Sequence, residues 1–173
     1  MTVLFYCSAN EAIAPQYNDA ARSIVRAAAA RGCRIVSGGT TKGMMRVVSE
    51  EALANGAYTK GVVPRFMKPL VYPGLSEVVW TDTMSERKAA MLEGVDLAVA
   101  LPGGIGTMDE LFGTMVLIKL GQYHGRVAAL NIDGFFDPLA SLLDHFVATG
   151  MLMPDERDIL KMPRTVEELE ELL

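Results

Sequence analysis

The sequence predicts an α/β protein: one Rossmann-like domain built on a doubly wound parallel sheet with helices on both faces. Three observations predict it. Short apolar, β-prone runs alternate with helical segments, most of ten or more residues, and that rhythm demands parallel strands joined by right-handed crossovers. The glycine clusters fall at the C-terminal ends of predicted strands, where open sheets of this kind hold their ligands. The 173 residues suit a single domain, long enough to bury roughly 70% of the unfolded surface.

Val3–Cys7 is a short first strand. Residues 18–31 follow as a helix, with Ala20, Ala21, Ile24, Val25 and Ala28 on one face and Gly32 as its stop. Arg34–Ser37 is the second strand and ends in Gly38-Gly39. Residues 43–55 form a helix with Met44, Val47, Val48 and Leu53 inward, closed by Asn55-Gly56. Residues 58–63 are the third strand. Residues 64–74 hold Pro64, Pro69 and Pro73 and read as a loop. A fourth strand spans 77–81, and a helix spans 82–93 up to Gly94. Leu97–Leu101 is an apolar strand ending in Pro102-Gly103-Gly104. A helix covers 107–120, then a strand 127–131 and a last core helix 137–149. Residues 151–163 read as irregular, and 165–173 as a short acidic amphipathic helix. Residues 151–173 therefore form a C-terminal extension of a single domain, 1–173.

Composition narrows the function classes. Half the residues are hydrophobic and 21% are charged, which excludes a disordered chain. A net charge of −5 speaks against nucleic acid as a partner, although a local basic patch can still hold a small anion. No apolar run reaches the ~18 residues of a membrane span. Met1–Cys7 lacks a basic flank and reads as a strand rather than a signal peptide. Cys7 ends one strand and Cys33 begins the next, which puts them roughly 13–16 Å apart along a parallel pair. A disulfide needs Cα atoms within about 7 Å. Two free thiols and a reducing, cytoplasmic compartment are expected. The mean hydropathy of +0.24 is high for a small domain and points to a buried interface between subunits more than to a full core.

Three segments carry chemistry. Ser37-Gly38-Gly39-Thr40-Thr41-Lys42-Gly43 joins a strand to a helix, so backbone N–H groups and a helix N-terminus converge on a ligand. It fits neither GxxxxGK[ST] nor GxGxxG. Leu101-Pro102-Gly103-Gly104-Ile105-Gly106-Thr107-Met108-Asp109-Glu110 is a second such turn, and two anion-type turns on one sheet edge point to a phosphate-bearing ligand. Thr107 and Glu110 also have the spacing of a capping box, in which Glu110 merely returns to the Thr107 backbone. In the third segment, Asp82 to Met91, Arg87 lies near the core-facing stripe of its helix. It must either find a carboxylate or phosphate or snorkel past methionines to water, since it keeps its charge. Thr83 and Glu86 form another capping-box pair. His124 and His145 have no partner at metal-ligand spacing, so neither a metal nor a cofactor is expected.

The residues Pro102-Gly103-Gly104-Ile105-Gly106-Thr107-Met108-Asp109-Glu110 resemble the PGGxGTxxE signature of the Lonely Guy family, cytokinin riboside monophosphate phosphoribohydrolases long misannotated as lysine decarboxylases. Residues 84–91, MSERKAAM, are similar to its MHERKxxM motif, and residues 38–45 to its GGGxxGLM turn. The likeness runs to about Pro154. Ser85 stands in place of the usual His, Ser8 in place of a Gly, and Thr40 in place of the third Gly. The resemblance implies hydrolysis of a nucleoside 5′-monophosphate to free base and ribose 5-phosphate by a homodimer with sites at its interface. It carries the catalytic pair onto Arg87 and Glu110. The substrate-binding positions fall on Gly39, Thr40, Lys88, Gly103, Gly104, Ile105, Gly106, Thr107, Met108 and Asp109. The alternative is a non-catalytic carrier or sensor of a phosphorylated, nucleotide-like ligand. A nicotinamide dehydrogenase lacks its GxGxxG after the first strand, and a pyridoxal-phosphate decarboxylase lacks a recognisable lysine and pyridinium partner.

Overall fold

A computed structural model describes residues 1–173 and bears out the predicted α/β architecture. Seven parallel strands lie in the order β4-β3-β2-β1-β5-β6-β7. They are β1 (Thr2–Tyr6), β2 (Arg34–Ser37), β3 (Thr59–Pro64), β4 (Glu77–Thr81), β5 (Leu97–Ala100), β6 (Arg126–Ala129) and β7 (Leu160–Lys161). The helices are α1 (Pro15–Ala30), α2 (Gly43–Ala54), α3 (Met84–Leu92), α4 (Ile105–Lys119), α5 (Asp137–Ala148), α6 (Pro154–Arg157) and α7 (Val166–Glu170).

Side chains alternate across each pleated strand, and β1 shows the result. Val3, Phe5 and Cys7 join a core with α1, α2 and α7, whereas Leu4 and Tyr6 join a second core with α3, α4 and α5. Both faces are thus covered, as a parallel sheet requires. The five inward residues expected on α1, Ala20, Ala21, Ile24, Val25 and Ala28, are its buried residues. On α2 the buried stripe runs through Met44, Met45, Val47 and Val48 to Ala52, and Leu53 is only half-buried. Cys7 and Cys33 are both free and buried.

Three expectations need correction. The stretch 151–163 is not irregular throughout: it contains α6 and the edge strand β7, which pairs Leu160 and Lys161 with Val127 and Ala128. Residues 65–70 of the proline-rich loop wind into a 3-10 helix; an α-helix there would drive the Pro69 ring against the carbonyl four residues back. Helix α4 begins at Ile105, two residues ahead of the expected start. Its N-cap is Gly104 with no side-chain cap, so Thr107 and Glu110 do not form a capping box.

The chain winds from β1 outward through β2, β3 and β4, then returns to β5 on the other side of β1. The reversal opens a crevice beyond the C-terminal ends of β1 and β5. Helix α3 packs on β3 and β4, and α4 on β1, β5 and β6. The two helices therefore stand on either side of this crevice. No helix is long and apolar enough to cross a membrane.

Candidate active site

The crevice holds a cavity of about 360 Å3 lined by Tyr6, Cys7, Ser8 and Asn10 from the end of β1, Gly38 and Thr40 from the turn after β2, Arg87 from α3, and Gly104, Ile105, Gly106, Thr107 and Glu110 from the start of α4. Met45, Met67, Met84 and Met91 supply much of the apolar wall.

Arg87 is placed by a local device. Thr83 caps α3: its hydroxyl accepts the Glu86 N–H at 3.1 Å, and the Glu86 carboxylate accepts the Thr83 N–H at 3.3 Å. This capping box, as expected from the spacing, sets the helix phase. Arg87 is the next residue and turns inward, only 8% exposed. It does not snorkel. Its Nε donates to the Val62 carbonyl at 3.1 Å, and its Nη1 to Glu110 Oε1 at 2.8 Å. Gly38 makes room, because a Cβ there would collide with Arg87 Nη2 and the Met45 sulfur.

Glu110 is the sixth residue of α4. Starting the helix at Ile105 frees its carboxylate from any cap and turns it toward the crevice. Thr107 is buried beneath Gly103, where a Cβ would strike its hydroxyl. Burial pushes the Glu110 carboxyl above the usual range, against the opposing pull of the Arg87 guanidinium. Burial likewise pushes up the Tyr6 phenol and the Cys7 thiol, so both are neutral at working pH. The Tyr6 hydroxyl lies 2.9 Å from Thr114 Oγ1, which donates to the Glu110 carbonyl.

Of the sequence-predicted residues, Arg87, Glu110, Thr40, Gly104, Ile105, Gly106 and Thr107 meet on this cavity. Gly103 lines an adjoining cleft with Ser8, Asn10, Tyr17 and Phe135. Gly39 supports the turn from behind: its φ is +64°, and a Cβ would meet the Gly61 backbone. Lys88 and Asp109 pair with each other at 2.8 Å, and neither they nor Met108 line the cavity. Lys42 is exposed beside the α2 N-terminus. Sequence reasoning missed Tyr6, Cys7, Ser8 and Asn10. Their signal was position alone, at the end of the central strand where the topology reverses. Met67 and Met84 also stand at the cavity. No cluster of three His, Cys, Asp or Glu side chains gathers as a metal site needs.

A buried arginine is bound to a carboxylate across a switch-point crevice, beside a helix N-terminus that no side chain caps. Residues 45–173 match the family model described as possible lysine decarboxylase. The chain is 35% identical over 169 residues to the cytokinin riboside 5′-monophosphate phosphoribohydrolase LOG of Oryza sativa subsp. japonica, covering 96% of this chain and 70% of that protein. It is 31% identical over 169 residues to an Arabidopsis thaliana protein of the same description, covering 96% and 79%. Among solved structures, the molybdenum cofactor binding protein of Rippkaea orientalis superposes with a TM-score of 0.71 at 20% identity, over 99% of this chain and 92% of that one. The molybdenum cofactor carrier protein of Chlamydomonas reinhardtii gives 0.72 at 17% identity, over 98% and 93%. These two share the fold alone. The matches over most of its length place the chain in the Lonely Guy family of cytokinin riboside 5′-monophosphate phosphoribohydrolases.

Proposed function

We propose that this protein hydrolyses the N-glycosidic bond of nucleoside 5′-monophosphates, AMP or a cytokinin riboside monophosphate, to free base and ribose 5-phosphate. The observation that carries this reading is the buried ion pair between Arg87 and Glu110 at the cavity wall. Cleaving the bond develops positive charge at C1′ as the base departs, so a carboxylate in a dry pocket stabilises the transition state more than the ground state. By analogy with glycoside hydrolysis, Glu110 acts on the ribose hydroxyls or the attacking water. Arg87 stays protonated and serves as the positioning and charge-balancing group. The 5′-phosphate sits at the uncapped N-terminus of α4, where Gly104, Ile105 and Gly106 present free N–H groups.

The working unit in this reading is a homodimer. Phe66, Met84, Ile105, Val116 and Leu120 are large apolar residues left exposed on and beside α3 and α4, with Ile105 at 90%. A second copy covering that face would also close the cavity mouth. The free buried thiols support a cytoplasmic setting. A screen of nucleoside monophosphates, following free base by chromatography, tests the proposal. Stoichiometric binding without turnover would favour the carrier reading instead.

A further inference from the structure

Arg87 and Lys88 are consecutive on α3, and Asp109 and Glu110 are consecutive on α4. They pair in two rungs across the crevice: Arg87 with Glu110 inside, and Lys88 Nζ with Asp109 Oδ1 at 2.8 Å outside. The inner rung is nearly water-free, with side chains 9% and 11% exposed, while the outer one is open at 34% and 54%. Both helices pack into the same core, α3 mainly on β3 and β4 and α4 on β1, β5 and β6, and the two rungs are the ion pairs that join them across the crevice. Arg87 is fixed from its own side by the Val62 carbonyl and the bare surface of Gly38. Glu110 has no comparable anchor for its carboxylate, and the first turn of α4 has no side-chain cap.

We infer that Lys88 and Asp109 are a positioning pair, whose salt bridge ties the start of α4 to α3 and so fixes the distance at which Arg87 meets Glu110. The inference rests on the proposed reaction. It departs from an expectation of substrate contact, because neither residue lines the cavity. An exposed pair of this kind adds little to global stability, so its loss should disturb the site without unfolding the protein. The flexible lysine stem is held to the short Asp109 carboxylate only while both charges are present, which makes the pair separable by charge reversal.

The test compares Lys88→Met, Asp109→Asn, the double variant and the reversed pair Lys88→Asp with Asp109→Lys, all assayed on AMP. Each single variant is expected to lower kcat about tenfold with KM changed less than about twofold and an unaltered melting temperature. The double variant should be no worse than either single, because the same interaction is removed once. The reversed pair should recover most of the lost kcat. A raised KM at constant kcat in Lys88→Met would instead make Lys88 a phosphate contact. Additive losses in the double, or a reversed pair as slow as the double, would overturn the inference. NMR of the Arg87 guanidinium gives a readout independent of turnover: separate Nη signals in the native protein, merged in the single variants and separate again in the reversed pair. If the native protein turns over no monophosphate, the proposed reaction fails while these signals still decide the positioning role. Unmerged Arg87 signals in both single variants would reject it.

Discussion

Replacing Glu110 with glutamine removes one charge and keeps the shape. The amide oxygen can still accept Arg87 Nη1 at the 2.8 Å seen for the carboxylate. A hydrogen bond to a charged partner is worth ~1.5–3 kcal/mol and a neutral one ~0.5–1.5. Arg87 remains charged in either case, so the loss should be about 1 kcal/mol, partly offset by relief of the carboxylate's own desolvation. For a chain of this size that shifts the melting temperature by about 2–4 °C. The rate should respond differently. Losing a positioned acid–base group costs ~10²–10⁴ in rate, or about 2.7–5.4 kcal/mol at 1.36 per tenfold. The expected outcome of Glu110→Gln is thus a folded dimer with kcat on AMP down at least ~100-fold. The assay pairs base release by chromatography with a thermal melt. Native-like kcat would refute the role of Glu110, and collapse of the fold with the activity would return it to a structural part.

Arg87→Ala should also lower kcat at least ~100-fold, because Glu110 then loses its only charged hydrogen-bond partner and burial drives it toward the neutral acid; an active, folded variant counts against the pair. With Glu110 held above the ordinary 4.5, the ionised form needed for reaction is lost as pH falls through that raised value. The acid limb of kcat/KM should therefore lie above pH 4.5 and vanish in Glu110→Gln, as a pH–rate series would show. The uncapped N-terminus of α4, worth ~0.3–1 kcal/mol and up to ~2 when partly buried, favours a phosphate at this edge, whereas the first turn of α2 is turned away and gives its Met44 N–H to the Ser8 carbonyl. Adenosine should accordingly be cleaved well over tenfold less efficiently than AMP, and equal rates would remove the phosphate from the mechanism. Light scattering at micromolar concentration should give twice the 18.7 kDa of one chain; a monomer would contradict the closed-cavity reading.

The sequence by itself determined the parallel sheet, because apolar periodicity and glycine punctuation are local properties that survive without knowledge of the neighbours. It determined the buried face of α1 residue by residue, and the Thr83 cap that aims Arg87, since both depend on spacings of three and four along one helix. It also marked Arg87 as needing an anion, because a guanidinium near a core stripe cannot shed its charge. Only the tertiary structure decided which anion. Arg87 and Glu110 are 23 residues apart on helices that rest mainly on different strands, and they meet because the topology reverses beside β1. The start of α4 was decided the same way: the Thr107–Glu110 spacing suits a cap, but Thr107 is drawn under Gly103 and the helix begins at Ile105. Strand β7 is two residues long, too short for any period to reveal, and exists because it pairs with the edge of β6. Ser8 and Asn10 belong to the site for a reason no local pattern carries: they follow the strand that the fold places at its switch point.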